Sequence, residues 1–140
     1  MKILLAVDGS KYTKKMLAYV ATHSELFSTT HQYSLLHVQA ALPTHVQNVI
    51  GKQDIKKYHA EEADKVLAPV IKFLLRHGIQ ASGTWKIGHA GEQIAMACAD
   101  DHFDLLVMGS HGHGVLSNMV MGSVATQVLA LSRTPVLLVR

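Results

Sequence analysis

Short apolar runs recur at intervals along the chain and predict buried β-strands. Four such runs cover residues 3–7, 35–38, 105–108 and 136–139. Three of them are continuous, a pattern typical of strands that are covered on both faces. A fifth candidate, residues 79–86, is weaker because Ile79, Ala81, Gly83 and Trp85 alternate with other residues. That alternation indicates a less buried strand near an edge of the sheet.

Helical spacing of apolar side chains fills the intervals between these runs. It predicts helices over residues 12–27, 55–74, 94–98 and 124–131. Ser10 is a candidate N-cap of the first helix. In the second helix, Pro69 is expected to bend the axis, and Gly78 can end the helix in the left-handed conformation. The one sizeable irregular connection covers residues 40–53 and is expected to be a mobile flap.

Strands and helices alternate strictly, which favours parallel strands joined by right-handed crossovers, with helices on both faces. The expected fold class is therefore α/β, with a single doubly wound parallel sheet of five strands. In an open parallel sheet, ligands bind beyond the carboxyl ends of the strands, where the strand order reverses. Two segments carry suitable chemistry for that edge, one after the first strand and one after residues 105–108.

The composition limits the class of protein. A chain of 140 residues with 49% hydrophobic content can bury the core of one domain, so residues 1–140 are expected to fold as one unit. No apolar stretch approaches the roughly 20 residues of a membrane span. Asp8 follows the first apolar run too soon for a signal peptide. We therefore expect no membrane association and a cytoplasmic location.

Charge and cysteine content exclude further classes. The net charge is +3, but the lysines are scattered and aromatic residues make up only 6% of the chain. A nucleic-acid reader more typically carries a dense basic stripe interleaved with aromatic residues, so no nucleic-acid partner is expected. The single cysteine, Cys98, lies in a run of small residues and is expected to be a buried structural thiol.

Glycines cluster in the segment that follows the run at residues 105–108. Glycine permits positive φ and close approach of a ligand, so Gly109, Gly112 and Gly114 suit a loop that presents its N–H groups inward. Gly122 and Ser123 then open the last helix, whose N-terminus is an anion site with a hydroxyl beside it. The alternative is that the glycines only turn the chain and that Ser123 only caps the helix. The spacing Gly-x2-Gly-x9-Gly-Ser favours phosphate binding.

Asp8, Gly9 and Ser10 follow the first strand and reach the same edge of the sheet. A carboxylate at a strand end can accept a hydrogen bond from a ribose or reach a metal ion through water. The alternative for Asp8 is a turn or helix-capping aspartate beside a glycine. Capping explains Ser10 equally well.

These segments resemble the universal stress protein family, in its single-domain, ATP-binding branch, and the resemblance runs essentially from end to end. It is carried by Lys2 to Ser10, by Leu36-His37-Val38, by Asp104 to Gly112, by Gly122-Ser123-Val124 and by Pro135 to Val139. The resemblance implies a five-stranded sheet of order 3-2-1-4-5. It also implies that residues 1–140 form one nucleotide-binding domain.

The resemblance further implies roles for individual residues. Gly109, Gly112, Gly122 and Ser123 would cradle the ribose and phosphates of ATP, with Val124 continuing that contact. The backbone of Val38 would meet the adenine, and Asp8 would lie beside the nucleotide with Gly9 and Ser10.

The chain departs from many relatives in two places. No lysine or arginine lies between Gly112 and Gly122, where those relatives carry one, and no proline precedes the third helix in the Gly88-His89-Ala90-Gly91 segment. Magnesium or protonated His111 and His113 would then have to balance the phosphate charge.

Members of the family are usually dimers, and the last strand suggests how this chain would pair. In the order 3-2-1-4-5 that strand lies at a sheet edge, and an exposed apolar edge is a liability unless it is paired. We expect a homodimer in which Val136, Leu137, Leu138 and Val139 pair with their symmetry mates.

Ten histidines raise the question of a metal site. The local pair His111 and His113 has no cysteine or carboxylate at neighbouring spacing, so no transition-metal site is expected. His37, inside a predicted strand, is expected to be a packed and hydrogen-bonded core residue.

Three functions remain open from the sequence. The first is an ATP-binding regulatory protein of the stress response. The second is a slow ATPase or nucleotide-dependent transferase. Turnover would be slow because the chain has neither a Gly-x-Ser-x-Gly elbow nor a P-loop lysine. The third is a dimeric adaptor or chaperone-like protein without nucleotide.

Overall fold

The computed structural model describes residues 1–114 and 118–140. Val115, Leu116 and Ser117, which belong to the predicted glycine loop, lie outside the described residues. The elements are β1 (Lys2–Ala6), α1 (Lys11–Thr22), β2 (Gln32–Gln39), α2 (Thr44–Val49), α3 (Lys52–Arg76), β3 (Ala81–Ile87), α4 (Ala90–Asp100), β4 (Leu105–Gly109), α5 (Ser123–Leu131) and β5 (Val136–Val139).

The strands form one parallel five-stranded sheet of order β3-β2-β1-β4-β5. β1 lies at the centre, where Leu5 pairs with Leu35 on one side and with Val107 on the other. This arrangement confirms the predicted α/β class and strand order. The strand order reverses between β1 and β4. In sheets of this type, ligands bind beyond the carboxyl ends of the strands at that point.

The core has two halves, one on each face of the sheet. Leu5 and Leu35 pack with side chains of α1 and α3, whereas Leu4 and Leu36 pack with side chains of α4 and α5. Successive strand residues point to opposite faces, which is why neighbours in sequence enter different halves. The predicted coverage of both faces is confirmed.

The helix ends follow local chemistry. Ser10 caps α1, since its hydroxyl oxygen accepts a hydrogen bond from the Thr13 N–H at 3.4 Å. α3 is one helix of 25 residues that continues across Pro69. Gly78 follows it with a φ of +75°, the left-handed conformation predicted for a helix end.

The connection at residues 40–53 differs from its prediction. It contains α2, a helix of six residues with none buried, and the first residues of α3. The sequence indicated no helix here because a helix without a buried face has no apolar stripe. None of the helices in the described ranges combines the length and the apolar character needed to cross a membrane.

Candidate functional site

A cavity of about 500 Å³ opens at the carboxyl ends of β1 and β4, beside the reversal of strand order. Its volume is typical of small-molecule sites. The predicted site residues that line it are Asp8, Val38, Gly109, His111, Gly112, His113, Gly122, Ser123 and Val124. Gly9 and Ser10 are not part of the lining. Ser10 is buried under α1 as its cap, and Gly9 takes a φ of +76° in the turn that leads into that helix.

The start of α5 faces this cavity with free N–H groups. Gly122, not Ser123, is the N-cap, and it makes no side-chain capping bond, so the capping interpretation of Ser123 is wrong. The first helical hydrogen bond runs from the Thr126 N–H to the Gly122 carbonyl. The N–H groups of Ser123, Val124 and Ala125 precede it, and all three residues line the cavity. Uncapped N–H groups at a helix start attract anions.

A second helix start reaches the same cavity. α4 begins at Ala90, which lines the cavity, and its N-cap residue His89 makes no side-chain capping bond. α1 is different, because Ser10 caps it. The cavity therefore receives the positive ends of two uncapped helices.

Gly109, Gly112 and Gly122 allow protein atoms to approach closely, whereas a Cβ on Gly114 would meet nothing within 4 Å. A Cβ on Gly109 would lie 2.6 Å from the Tyr12 Cβ, and a Cβ on Gly112 would lie 2.8 Å from Oδ2 of Asp8. A Cβ on Gly122 would lie 3.1 Å from the His111 Cα. None of the loop glycines has a φ between +20° and +160°, so the conformational part of their prediction is wrong.

The Gly122 N–H is also not available to a ligand. It donates to the Ser110 carbonyl at 2.7 Å, while the Ser110 N–H donates to the Val139 carbonyl at 2.9 Å. These bonds close the glycine loop at its base and attach it to β5. The donors at the start of α5 are therefore those of Ser123, Val124 and Ala125, which follow Gly122.

Asp8 has different partners at its two carboxylate oxygens. Oδ1 accepts the Ser10 N–H and the Thr13 hydroxyl, each at 2.9 Å. Within the described part of the chain no hydrogen bond reaches Oδ2, the oxygen nearest to Gly112. The two roles predicted for Asp8 are therefore compatible, because Oδ1 holds the turn and Oδ2 is left for a ligand.

Both loop histidines are engaged by the protein. His111 Nε2 lies 2.8 Å from the Met119 carbonyl oxygen, and its Nδ1 lies 2.8 Å from the Ser110 hydroxyl. His113 Nε2 lies 2.7 Å from the Asp8 carbonyl oxygen. Since a carbonyl oxygen can only accept, each Nε2 donates. The rings therefore hold the loop in place.

One wall of the cavity is apolar. Leu36, Val38, Ile94 and Met108 line it from β2, α4 and β4. The lining also includes polar groups of Asp8, the glycine loop and the start of α5. This combination suits a ligand with a flat apolar part and an anionic part.

Sequence reasoning missed Thr13, Ala90 and Ile94. Thr13 lines the cavity and accepts the Asp8 N–H at 3.1 Å through its hydroxyl oxygen. Its spacing of five residues from Asp8, across a glycine turn and an N-cap, was the available signal. Ala90 and Ile94 carry no polar chemistry, so only the fold places them here.

The model of the Universal stress protein family matches residues 1–140. The chain belongs to the universal stress protein family. It is 34% identical over 139 residues to universal stress protein Slr1230 of Synechocystis sp., covering 99% of this chain and 42% of that protein. It is 32% identical over 142 residues to a universal stress protein of Thermus aquaticus, covering 99% of this chain and 97% of the relative. The chain thus spans less than half of one relative and nearly all of the other.

Solved structures share the whole fold. The structure of protein MJ0577 matches with a TM-score of 0.81 and 28% identity, covering 99% of this chain and 94% of the other. A universal stress protein from Archaeoglobus fulgidus in complex with dAMP matches with a TM-score of 0.69 and 20% identity, covering 100% and 98%. One from Arabidopsis thaliana with AMP bound matches with a TM-score of 0.70 and 16% identity, covering 99% and 91%.

Proposed function

We propose that this universal stress protein is a regulatory protein that binds ATP with magnesium in the cavity at the β1 and β4 ends. The observation that carries the proposal is the uncapped start of α5, whose Ser123, Val124 and Ala125 N–H groups face a cavity of suitable size. The complexes of two family members with AMP and dAMP support an adenine nucleotide as the ligand.

The apolar wall would receive the base and the α5 start the phosphates. Val38 at the end of β2 lies among the apolar lining residues, which agrees with a backbone contact to adenine. Ser123 is the first residue of α5, and its hydroxyl makes no capping bond. The hydroxyl therefore remains a donor for a phosphate oxygen.

Magnesium fits the donor set at Asp8. Magnesium prefers oxygen ligands and is commonly held by one carboxylate, several waters and the phosphates of a nucleotide. Oδ2 of Asp8 is the carboxylate oxygen that the turn leaves unused. When bound, the ion would neutralise part of the triphosphate charge.

We also propose that the protein acts as a homodimer through β5. All four residues of β5 are half-buried in the single chain, at an edge of the sheet. An edge strand of this kind is protected when it pairs with a second copy.

Calorimetry of a Gly112→Val variant tests the proposed site. A Cβ at position 112 would meet Oδ2 of Asp8 at 2.8 Å, so a branched side chain should weaken ATP–magnesium binding by at least about tenfold, or ~1.4 kcal/mol. Gly51→Val is the matched control, because a Cβ there meets nothing within 4 Å.

Nucleotide content after gentle purification is the second measurement. We expect wild-type protein to retain adenine nucleotide and Gly112→Val protein to lose it. Equal ATP affinity in wild type and Gly112→Val would rule out the glycine cradle. Wild-type protein that neither retains nor binds nucleotide would favour an adaptor without ligand.

A further inference from the structure

A cationic and aromatic cluster adjoins the glycine loop. We call Lys11, Tyr12, Lys15 and His111 the Tyr12 cluster. The ammonium nitrogens of Lys11 and Lys15 lie 5.4 Å and 5.0 Å from the centre of the Tyr12 ring. The His111 ring lies 4.9 Å from the same ring, centre to centre. Both lysines thus hold their charge over an aromatic face, as in cation–π pairs.

Tyr12 joins the lysines to the loop that lines the cavity. Its Cβ occupies the space that a side chain at Gly109 would need, at 2.6 Å from that position. His111, which contacts the other end of the cluster, lines the cavity itself. The two exposed lysines therefore lie over a ring that adjoins the glycine loop.

The charges of Lys11 and Lys15 are not balanced by carboxylates. In the described ranges, the only ion pair joins Lys65 to Glu62 on α3. The first turn of α1 also contains no acidic residue. Cations close to a helix N-terminus oppose the helix dipole, whereas an anion there would be favoured. The Asp8 carboxylate lies at this end of α1, where its Oδ1 accepts the Ser10 N–H, and a bound anion would add a second negative charge that favours the two lysines.

The loop itself carries no permanent positive charge. No lysine or arginine occurs between Gly109 and Ser123, and the rings of His111 and His113 are used to hold the loop. Beyond the starts of α4 and α5 and the proposed magnesium, further positive charge for a triphosphate would come from another element.

We propose that Lys11 and Lys15 provide the positive charge for the β and γ phosphates of the nucleotide, so that α1 replaces the cation missing from the glycine loop. This inference rests on the proposed ATP site and adds a reason why that site would prefer the more highly charged nucleotide. Lysine carries its charge on a flexible four-carbon stem, so the ammonium groups can move from the Tyr12 ring towards a phosphate. The two lysines then distinguish ATP from AMP.

The experiment compares ATP and AMP binding by calorimetry, first in three proteins and then in two further variants. The three are the wild type, the double variant Lys11→Ala/Lys15→Ala and the control Lys56→Ala/Lys57→Ala. The control removes the same net charge from exposed positions on α3. Alanine is the best helix former, so neither double variant should unfold its helix. Lys14→Ala is a second control on α1 itself.

We expect the Lys11/Lys15 variant to bind ATP about tenfold more weakly at low salt and AMP less than about threefold more weakly, since the effect scales with ligand charge. The difference should shrink at about 0.3 M salt, because exposed charges are screened. Both controls should bind ATP within about twofold of wild type. The charge-conserving variant Lys11→Arg/Lys15→Arg should keep the ATP preference of the wild type.

Two results would overturn the inference while leaving the proposed function intact. One is an equal loss of ATP and AMP affinity in the Lys11/Lys15 variant, and the other is ATP affinity equal to that of the controls. Wild-type protein that binds neither nucleotide would instead overturn the proposed function and this inference together.

Discussion

Asp8 illustrates at the scale of a single residue what the sequence could and could not predict. The sequence indicated two roles for Asp8, in a turn or beside a ligand. The structure makes these roles compatible, because Oδ1 binds the Ser10 N–H and the Thr13 hydroxyl while Oδ2 is directed at Gly112. No sequence pattern assigns partners to two oxygens of one carboxylate, since the assignment depends on the rotamer.

We predict that Asp8→Asn weakens ATP–magnesium binding far more than it weakens folding. Asparagine keeps the Oδ1 acceptor for the turn but replaces the anionic Oδ2 by an amide group. The free energy of unfolding should fall by less than about 1 kcal/mol, while ATP–magnesium affinity should fall more than about tenfold. Urea titration and calorimetry measure the two effects.

Thr13→Val is the complementary variant. It removes the hydroxyl that bonds both the Asp8 N–H and Oδ1, so the free energy of unfolding should fall by about 1–2 kcal/mol. If Asp8→Asn were destabilised as strongly as Thr13→Val and bound nucleotide normally, Asp8 would be a turn residue alone.

The histidines mark the limit of prediction at this scale. His37 was expected to be a core residue, and it is buried, with Nδ1 2.9 Å from the Val7 carbonyl oxygen. His111 and His113 were considered as carriers of charge for the phosphates. The structure has them bonded to the carbonyl groups of Met119 and Asp8, and their role towards the phosphates stays a prediction. Residue 113 meets Asp8 across more than a hundred positions of sequence, and only tertiary structure brings them together.

At the scale of elements, periodicity predicted what packs against the core. All five strands and the four long helices carry an apolar pattern, and each lies within a few residues of its predicted position. α2 was missed because it buries nothing. The weaker pattern of β3 reflects its position, since it is an edge strand with an exposed side.

One polar contact between elements was invisible in the sequence. Gln39 on β2 and His59 on α3 bond reciprocally, with the Gln39 amide donating to the His59 carbonyl at 2.7 Å and His59 Nδ1 lying 2.8 Å from Gln39 Oε1. His59 is only 1% exposed. The pair attaches the long helix to the end of the strand that lines the cavity, directly after Val38.

We predict a strong energetic coupling between these two residues. Gln39→Leu leaves the buried His59 ring without its partner, so the free energy of unfolding should fall by about 2 kcal/mol. The fall in the free energy of unfolding of the double variant Gln39→Leu/His59→Leu should be smaller than the sum of the two single falls, by at least about 1 kcal/mol. Urea denaturation of the four proteins gives the coupling directly.

The exposed Lys65–Glu62 pair is the matched control for this cycle. It joins two residues of α3 three positions apart at 2.8 Å, and an exposed ion pair of this kind should show little coupling. Additive losses for Gln39 and His59 would show that the reciprocal bonds do not hold α3 to β2.

At the scale of the whole molecule, the sequence predicted where the candidate site lies but not all the residues that line it. Alternation of strands and helices predicted a parallel sheet, and the position of the glycines predicted which strand ends would meet. The strand order 3-2-1-4-5 came from the resemblance to a family. The lining from α4 could not be predicted, because it depends on which helices pass over the edge of the sheet.

The edge strand β5 carries the proposed dimer, and its hydrogen bonds show which groups are free to pair. The Pro135 and Val139 carbonyls accept the Leu106 and Ser110 N–H groups of the β4 side, each at 2.9 Å. Backbone direction alternates along a strand, so Leu137 also faces β4. The N–H groups of Val136 and Leu138 therefore point outward, where a second copy would lie.

We predict that the wild type is a dimer at micromolar concentration and that Val136→Pro/Leu138→Pro is a folded monomer. Proline removes the two outward donors and leaves the bonds to β4 in place. Antiparallel pairing of identical strands about a two-fold axis closes as a dimer, so the loss should appear in light scattering as a halved mass.

Ile87→Pro is the control at the opposite edge. The Gly88 N–H donates to the Gln39 carbonyl, so alternation directs the Ile87 N–H away from β2, and this variant should remain dimeric. A wild-type monomer, or a folded double variant that stays dimeric, would exclude β5 as the interface.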